Sequence, residues 1–221
     1  MPKGQKRKTS LRKRSRTPYY VAVFVVVFAV AIIGLYLYTR PIPCTTPNVL
    51  VNINTTKGSM EVKLFSCSAP KTVANFVSLA KSGFYNNLVW HRIATNPSVI
   101  QTGDPNTRNG GGNRSKWGTG GSNKTVPLEV SNSSLHNTAG FLGMARGSDV
   151  NSGSSQFYIN IGSNTGLDGS YTVFGEVISG MSVANAIAGV QTYTNSSSPY
   201  YQQPVDPSQA MLISITIISG G

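Results

Sequence analysis

The chain has 221 residues, a formal net charge of +12, and two cysteines. That length allows one or two domains. Eight Lys/Arg and no acid fall within residues 1–18, leaving eleven basic and seven acidic side chains on the rest. The folded part is therefore only mildly basic, which excludes reading the global charge as a nucleic-acid surface.

From Tyr19 to Tyr38 no residue is charged, and Val, Ala, Ile, Leu and Phe dominate. As a helix rising about 1.5 Å per residue, this stretch matches a bilayer's hydrocarbon core. Tyr19 and Tyr20 at one end and Tyr36 and Tyr38 at the other suit the two interfaces. The segment predicts a transmembrane helix over 19–39 behind a basic cytoplasmic tail, 1–18. The positive-inside rule then puts everything after about residue 40 outside the cytoplasm. A cleaved signal peptide is the competing reading. The only A-x-A pattern near the N-terminus, Ala29-Val30-Ala31, lies inside the apolar run, which favours a retained single-pass anchor.

Residues 40–47 hold three prolines and read as a stiff linker into a domain spanning 48–221. Taking Lys57-Gly58 as a hairpin turn puts Cys67 opposite about residue 48. A bridge between Cys44 and Cys67 is then geometrically open, as are two unpaired thiols. With His91 and His136 the only histidines and no C-x-x-C, no metal site is expected. Five Asn-x-Ser/Thr sites, at Asn54, Asn113, Asn123, Asn132 and Asn195, agree with an outside location.

Asn48–Thr55 and Met60–Phe65 alternate apolar and polar residues and predict a hairpin. Ser68-Ala-Pro-Lys begins a helix with Ser68 as cap, and Gly83 ends it. Leu88–Ala94 and Val99–Thr102 read as strands. Gly103–Lys124, with seven glycines, reads as loop. Gly140–Met144, Gln156–Ile161 and Tyr171–Val177 are further strands, and Met181–Ala188 a short helix. A polar stretch, Thr192–Gln209, leads to a last strand at Met211–Ser219. Helices that do not alternate with strands point to a mainly β fold, an antiparallel barrel or sandwich capped by helices.

The chain lacks G-x-S-x-G, H-E-x-x-H and G-x-x-x-x-G-K, and its sparse acids form no close pair. Five segments taken together resemble cyclophilins, in order across nearly all of 48–219. They are Trp90-His91-Arg92-Ile93; Gln101-Thr102-Gly103-Asp104-Pro105; Gly140 to Arg146; Asp149 to Ile159; and Leu167 to Gly175. The Met144-Ala145-Arg146 and Leu167-Asp168-Gly169-Ser170-Tyr171 forms look more like prokaryotic members than animal cytosolic ones.

The resemblance implies a closed eight-stranded antiparallel barrel capped by two helices, and a peptidyl-prolyl cis-trans isomerase. It assigns the catalytic cation to Arg92, with Gln101 holding it and bonding the substrate backbone. Ala145 and Arg146 would meet the residue before proline, and Gln156 would add a polar wall. Val99, Tyr158 and Leu167 would form the proline pocket, Tyr171 standing where many relatives have histidine. Ser98, or Pro97, stands where a pocket phenylalanine is expected, and Gly110 would border the neighbouring pocket. The interval from Arg92 to Gln101 is one residue longer than the usual family spacing. The resemblance requires neither cofactor nor metal. Its implied partners are proline-containing polypeptides, met by a membrane-tethered monomer that binds no nucleic acid and assists exported or surface proteins. The alternative is a catalytically weak proline-peptide chaperone or scaffold on the same fold.

Overall fold

The computed structural model describes residues 17–39 and 44–220. Most of the basic tail and half of the linker lie outside the described residues. The chain divides at Cys44/Thr45 into two compact units. In the first, helix α1 spans Thr17–Thr39, 23 residues without a charged side chain. Its described side chains are exposed and apolar, with Phe28 at 70%. Among the described residues no helix is long and apolar enough to cross a membrane.

The second unit opens with the hairpin of β1 (Val49–Thr55) and β2 (Gly58–Leu64), paired from Val49↔Leu64 to Thr55↔Gly58. Thr55 Oγ1 donates to the Gly58 carbonyl at 2.8 Å and accepts from Lys57 N at 3.1 Å. The turn is thus centred on Thr56-Lys57, one residue earlier than expected. That shift carries Cys67 beside Thr46 instead of residue 48, with Sγ 3.5 Å from the Thr46 carbonyl oxygen. Cys44 and Cys67 are both disulfide-bonded.

Helix α2 (Pro70–Lys81) buries Val73, Phe76, Val77 and Ala80 on one stripe. Its first turn is capped from a distance, not by Ser68. Glu129 accepts from Lys71 N at 3.1 Å, Thr72 N at 2.9 Å and Thr72 Oγ1 at 2.8 Å. Ser68 instead accepts from Asn132 Nδ2. A carboxylate at this helix end meets both the unpaired N–H groups and the positive end of the dipole.

The expected strand Leu88–Ala94 is split into β3 (Leu88–Val89) and β4 (Arg92–Thr95). Trp90 N donates to the Ala210 carbonyl at the break, and the ring turns into the core. The chain then continues through β5 (Ser98–Thr102), β6 (Phe141–Met144), β7 (Phe157–Asn160), β8 (Val173–Ser179), helix α3 (Met181–Ala188) and β9 (Met211–Ser219). These nine strands form one sheet in the order β3-β9-β1-β2-β8-β6-β7-β5-β4. Every named pairing is antiparallel. Its two end strands, β3 and β4, are neighbours in the chain but pair with β9 and β5 respectively. The sheet is therefore a curled half-barrel of nine strands, not the closed eight-stranded barrel expected.

Its interior is aromatic. Phe157 meets Phe76 edge-on at 5.2 Å, Tyr85 at 5.7 Å and Trp90 at 5.8 Å, a geometry that sets positive ring edges against negative faces. The glycine-rich segment that follows β5 is anchored by the buried carboxylate of Asp104. It accepts from Asn106 N at 2.8 Å, Gly118 N at 2.5 Å and Gly120 N at 3.1 Å, which offsets the cost of burying its charge.

Candidate active site

Strand pleating sorts residues between two environments. On β5, Ile100 enters the main core, whereas Val99 faces the other side. On β7, Phe157 and Ile159 go inward and Tyr158 outward. The outward set, Ala94, Val99 and Tyr158, forms a second apolar cluster against which Ala145, Leu167 and Tyr171 pack. All of these but Ala94 wall a cavity of about 250 Å³ that Arg92, Gln101 and Arg146 also border. Gln101, Ala145 and Arg146 are shared with an adjoining cavity of about 290 Å³, lined by Gly118–Gly121, Ser154 and Gln156.

The same pleat separates the two candidates for the phenylalanine's place. Ser98 points away from the cavity, its N–H bonded to Asn164 Oδ1 at 2.9 Å, and Pro97 lines the wall instead. Gly110 borders neither cavity; a Cβ placed there would lie 3.1 Å from Pro207 Cβ. The remaining expected residues, Arg92, Gln101, Val99, Ala145, Arg146, Gln156, Tyr158, Leu167 and Tyr171, all line one of the two cavities.

Arg92 is one of two cations at the cavity, with Arg146. Its Nε donates to Gln202 Oε1 at 2.9 Å and its Nη1 to Gln101 Oε1 at 3.3 Å. Gln101 Nε2 donates in turn to Gln156 Oε1 at 2.8 Å, and Gln156 Nε2 to the Gly118 and Gly120 carbonyls. A chain of amides thus runs from Arg92 to the glycine-rich segment. Among the described residues no carboxylate pairs with Arg92; the ion pairs there are Lys63–Glu176 and His136–Asp168. Burial draws its pKa down, and the nearby Tyr171 and Tyr201 hydroxyls work against that. A guanidinium still keeps its proton at any working pH.

The walls are held as firmly. Tyr158 donates to Asn137 Oδ1 at 2.7 Å, and burial raises its phenol above the ordinary range. Its ring crosses the face of Gly143, where an added Cβ would come within 2.1 Å of Cζ. Arg146 lies over the Tyr171 ring at 4.8 Å and donates to the Ser170 carbonyl at 2.9 Å. The Ala145 N–H is taken by Gln156 O at 2.9 Å, so its carbonyl is the group left for a peptide. Behind this layer His91 is fully enclosed with neither ring nitrogen hydrogen-bonded, and burial pushes its pKa down to about 4.

A third cavity, of about 330 Å³, lies behind Tyr171 beside His136 and Asp168. It assembles no buried cation, and its two acids are committed, Glu129 to the first turn of α2 and Asp168 to Asn137 and His136. Slight burial would raise the Asp168 pKa, but bonds from the Asn137 backbone and amide and from His136 outweigh it and hold the carboxyl low. Gln202 is the site residue that sequence reasoning missed. It lies in an irregular polar connection where periodicity carries no signal.

Residues 50–208 match the family described as cyclophilin type peptidyl-prolyl cis-trans isomerase/CLD. The chain is 41% identical over 142 residues to peptidyl-prolyl cis-trans isomerase-like 1 of Aspergillus niger, 64% of this chain and 83% of that protein. It is 38% identical over 152 residues to a peptidyl-prolyl cis-trans isomerase of Acinetobacter baylyi, 66% of this chain and 76% of that one. The similarity therefore reaches a fungal and a bacterial member about equally. A crystal structure of a cyclophilin-type isomerase from Cryptosporidium parvum superposes with a TM-score of 0.66 at 28% identity, over 78% of this chain and 98% of that one. The same protein in the presence of the dipeptide Ala-Pro superposes at 0.65 and 29% identity, over 77% and 99%.

Proposed function

The chain belongs to the cyclophilin-type peptidyl-prolyl cis-trans isomerase family, and we propose that it isomerises X–Pro bonds at the Arg92 cavity while tethered to a membrane. One observation carries the site: a partly buried guanidinium with no carboxylate partner among the described residues, held by neutral amides beside the apolar wall of Val99, Tyr158 and Leu167.

Rotation about an X–Pro bond faces a barrier of about 18–20 kcal/mol because the amide C–N bond is partly double. At the twisted midpoint the nitrogen lone pair is no longer delocalised and becomes a better acceptor. Val99, Tyr158 and Leu167 take the proline ring, and Arg92 offers its outer N–H groups to that nitrogen. The bond strengthens only as the amide twists, so the transition state is favoured over either planar isomer. An acid paired with Arg92 would neutralise the charge that does this. The Ala145 carbonyl and the second cavity hold the residues before proline, keeping one half of the substrate still while the other turns.

The tether rests on α1 with its exposed apolar surface and on the basic residues before it. Together they favour a single span with the isomerase outside the cytoplasm. Disulfide-bonded cysteines suit an oxidising compartment. The clients are then exported or surface polypeptides whose slow prolyl steps limit folding.

NMR exchange on a proline peptide with the full chain in detergent tests the reaction. Acceleration that collapses in Arg92→Ala, with the fold intact, is expected; none in the folded parent would end the catalytic reading. Alkaline extraction and protease shaving of sealed vesicles test the tether. A protein washed off by alkali, or protected from outside, would refute it.

A further inference from the structure

The connection from α3 to β9 folds back over β4. Ile93 N donates to the Gln202 carbonyl at 2.8 Å, stitching the segment to the strand that carries Arg92. The Gln202 side chain then reaches Arg92 Nε at 2.9 Å. Its backbone sits at φ +65°, the left-handed region where a residue with a Cβ is disfavoured. A long amide held in that conformation, against the site's cation, is an outlier that calls for a role.

The segment is itself clamped. Arg114, from the glycine-rich segment, lies over the rings of Trp117 at 4.8 Å, Tyr193 at 5.3 Å and Tyr200 at 5.6 Å. It donates to the Gln203 side chain and to the Pro204 and Val205 carbonyls, and Gln203 Nε2 returns a bond to the Arg114 carbonyl at 2.9 Å. Gln202 is thus presented from a fixed frame.

We propose that Gln202 is a positioning residue of the isomerase site, bracketing the Arg92 guanidinium together with Gln101. The inference rests on the reading of Arg92 as the catalytic cation. One bond, from Nη1 to Gln101, would leave the guanidinium plane able to pivot. A second, at Nε and from a different element, fixes that plane and turns Nη2 toward the cavity. Both acceptors are neutral, so they orient the charge without cancelling it.

The test compares the full-length parent with Gln202→Gly, which suits φ +65° and keeps the backbone unstrained. Four quantities are read: kcat and KM by NMR exchange, the melting temperature, and solvent exchange of the Arg92 Nε–H. The expected result is a kcat down about tenfold with KM and melting temperature unchanged. The Nε–H, slow to exchange in the parent, becomes fast. Parental kcat in the variant, or an Nε–H equally protected in both, overturns the proposal. Should Gln202→Gly not fold, Gln202→Asn takes its place, since Asn adopts this conformation readily but its amide is one carbon short. If the parent proves inactive, the isomerase reading fails and Nε–H protection alone decides whether Gln202 holds Arg92.

Discussion

Arg92 and Gln101 stand directly opposite one another across β4 and β5, and the guanidinium Nη1 donates to Gln101 Oε1 at 3.3 Å. The interval between them is one residue longer than the family's usual spacing, yet the pairing is intact. The four-residue register Arg92↔Gln101 to Thr95↔Ser98 confines the connection to Asn96-Pro97, and Pro97 becomes part of the cavity wall.

Gln101→Leu removes the acceptor for Nη1 and the donor to Gln156 together. We expect kcat/KM to fall about tenfold or more, since bonds to charged groups are worth about 1.5–3 kcal/mol. The side chain is only half-buried, so the melting temperature should barely move. Unchanged kcat/KM in NMR exchange would show that the amide chain is not part of the machinery.

Gly143→Ala tests the wall instead of the cation. An added Cβ would meet Cζ of Tyr158 at 2.1 Å, and the sheet backbone on β6 cannot yield. The ring must leave its place, which spoils the proline pocket and costs about 1–3 kcal/mol in overpacking. Kinetics and urea unfolding should both deteriorate. A variant matching the parent in both would mean that the ring position does not shape the pocket.

Glu129→Ala leaves the first turn of α2 without its acceptor. The three bonds it makes there predict a loss of about 1–2 kcal/mol in urea unfolding, with isomerase activity per folded molecule unchanged. Glu129→Gln should recover part of it, because the amide oxygen can still accept. Equal stability of parent and Glu129→Ala would assign the cap elsewhere.

His91 makes stability depend on pH in a defined window. The folded imidazole titrates near 4, below its ordinary 6.5, because burial disfavours the charged ring. Above about pH 6.5 neither state is protonated and stability is full. As pH falls from there toward about 4 the unfolded chain takes up a proton that the native state refuses, and about 3 kcal/mol is lost. Below that both states are charged and this contribution is flat. Urea unfolding at pH 7.5 and 4.5 should show the drop, and His91→Gln should remove its share of the slope. An identical slope in the variant would place the effect on other groups.

The sequence by itself determined the hairpin, both helices of the second unit, most strands and most of the residues that line the two cavities. Those features rest on local periodicity or on motifs compact enough to be read along the chain. What only the tertiary structure decided is which distant groups meet. Pleating turned Ser98 away and brought in Pro97, a one-residue shift in the hairpin turn moved the register of Cys67, and the break at Trp90 left a half-barrel of nine strands. Glu129 reaches α2 across 57 residues, and Gln202 reaches Arg92 across 110. Such contacts follow from where loops are pinned, by Arg114 and Asp104, and a loop's path has no period in the sequence that lays it down.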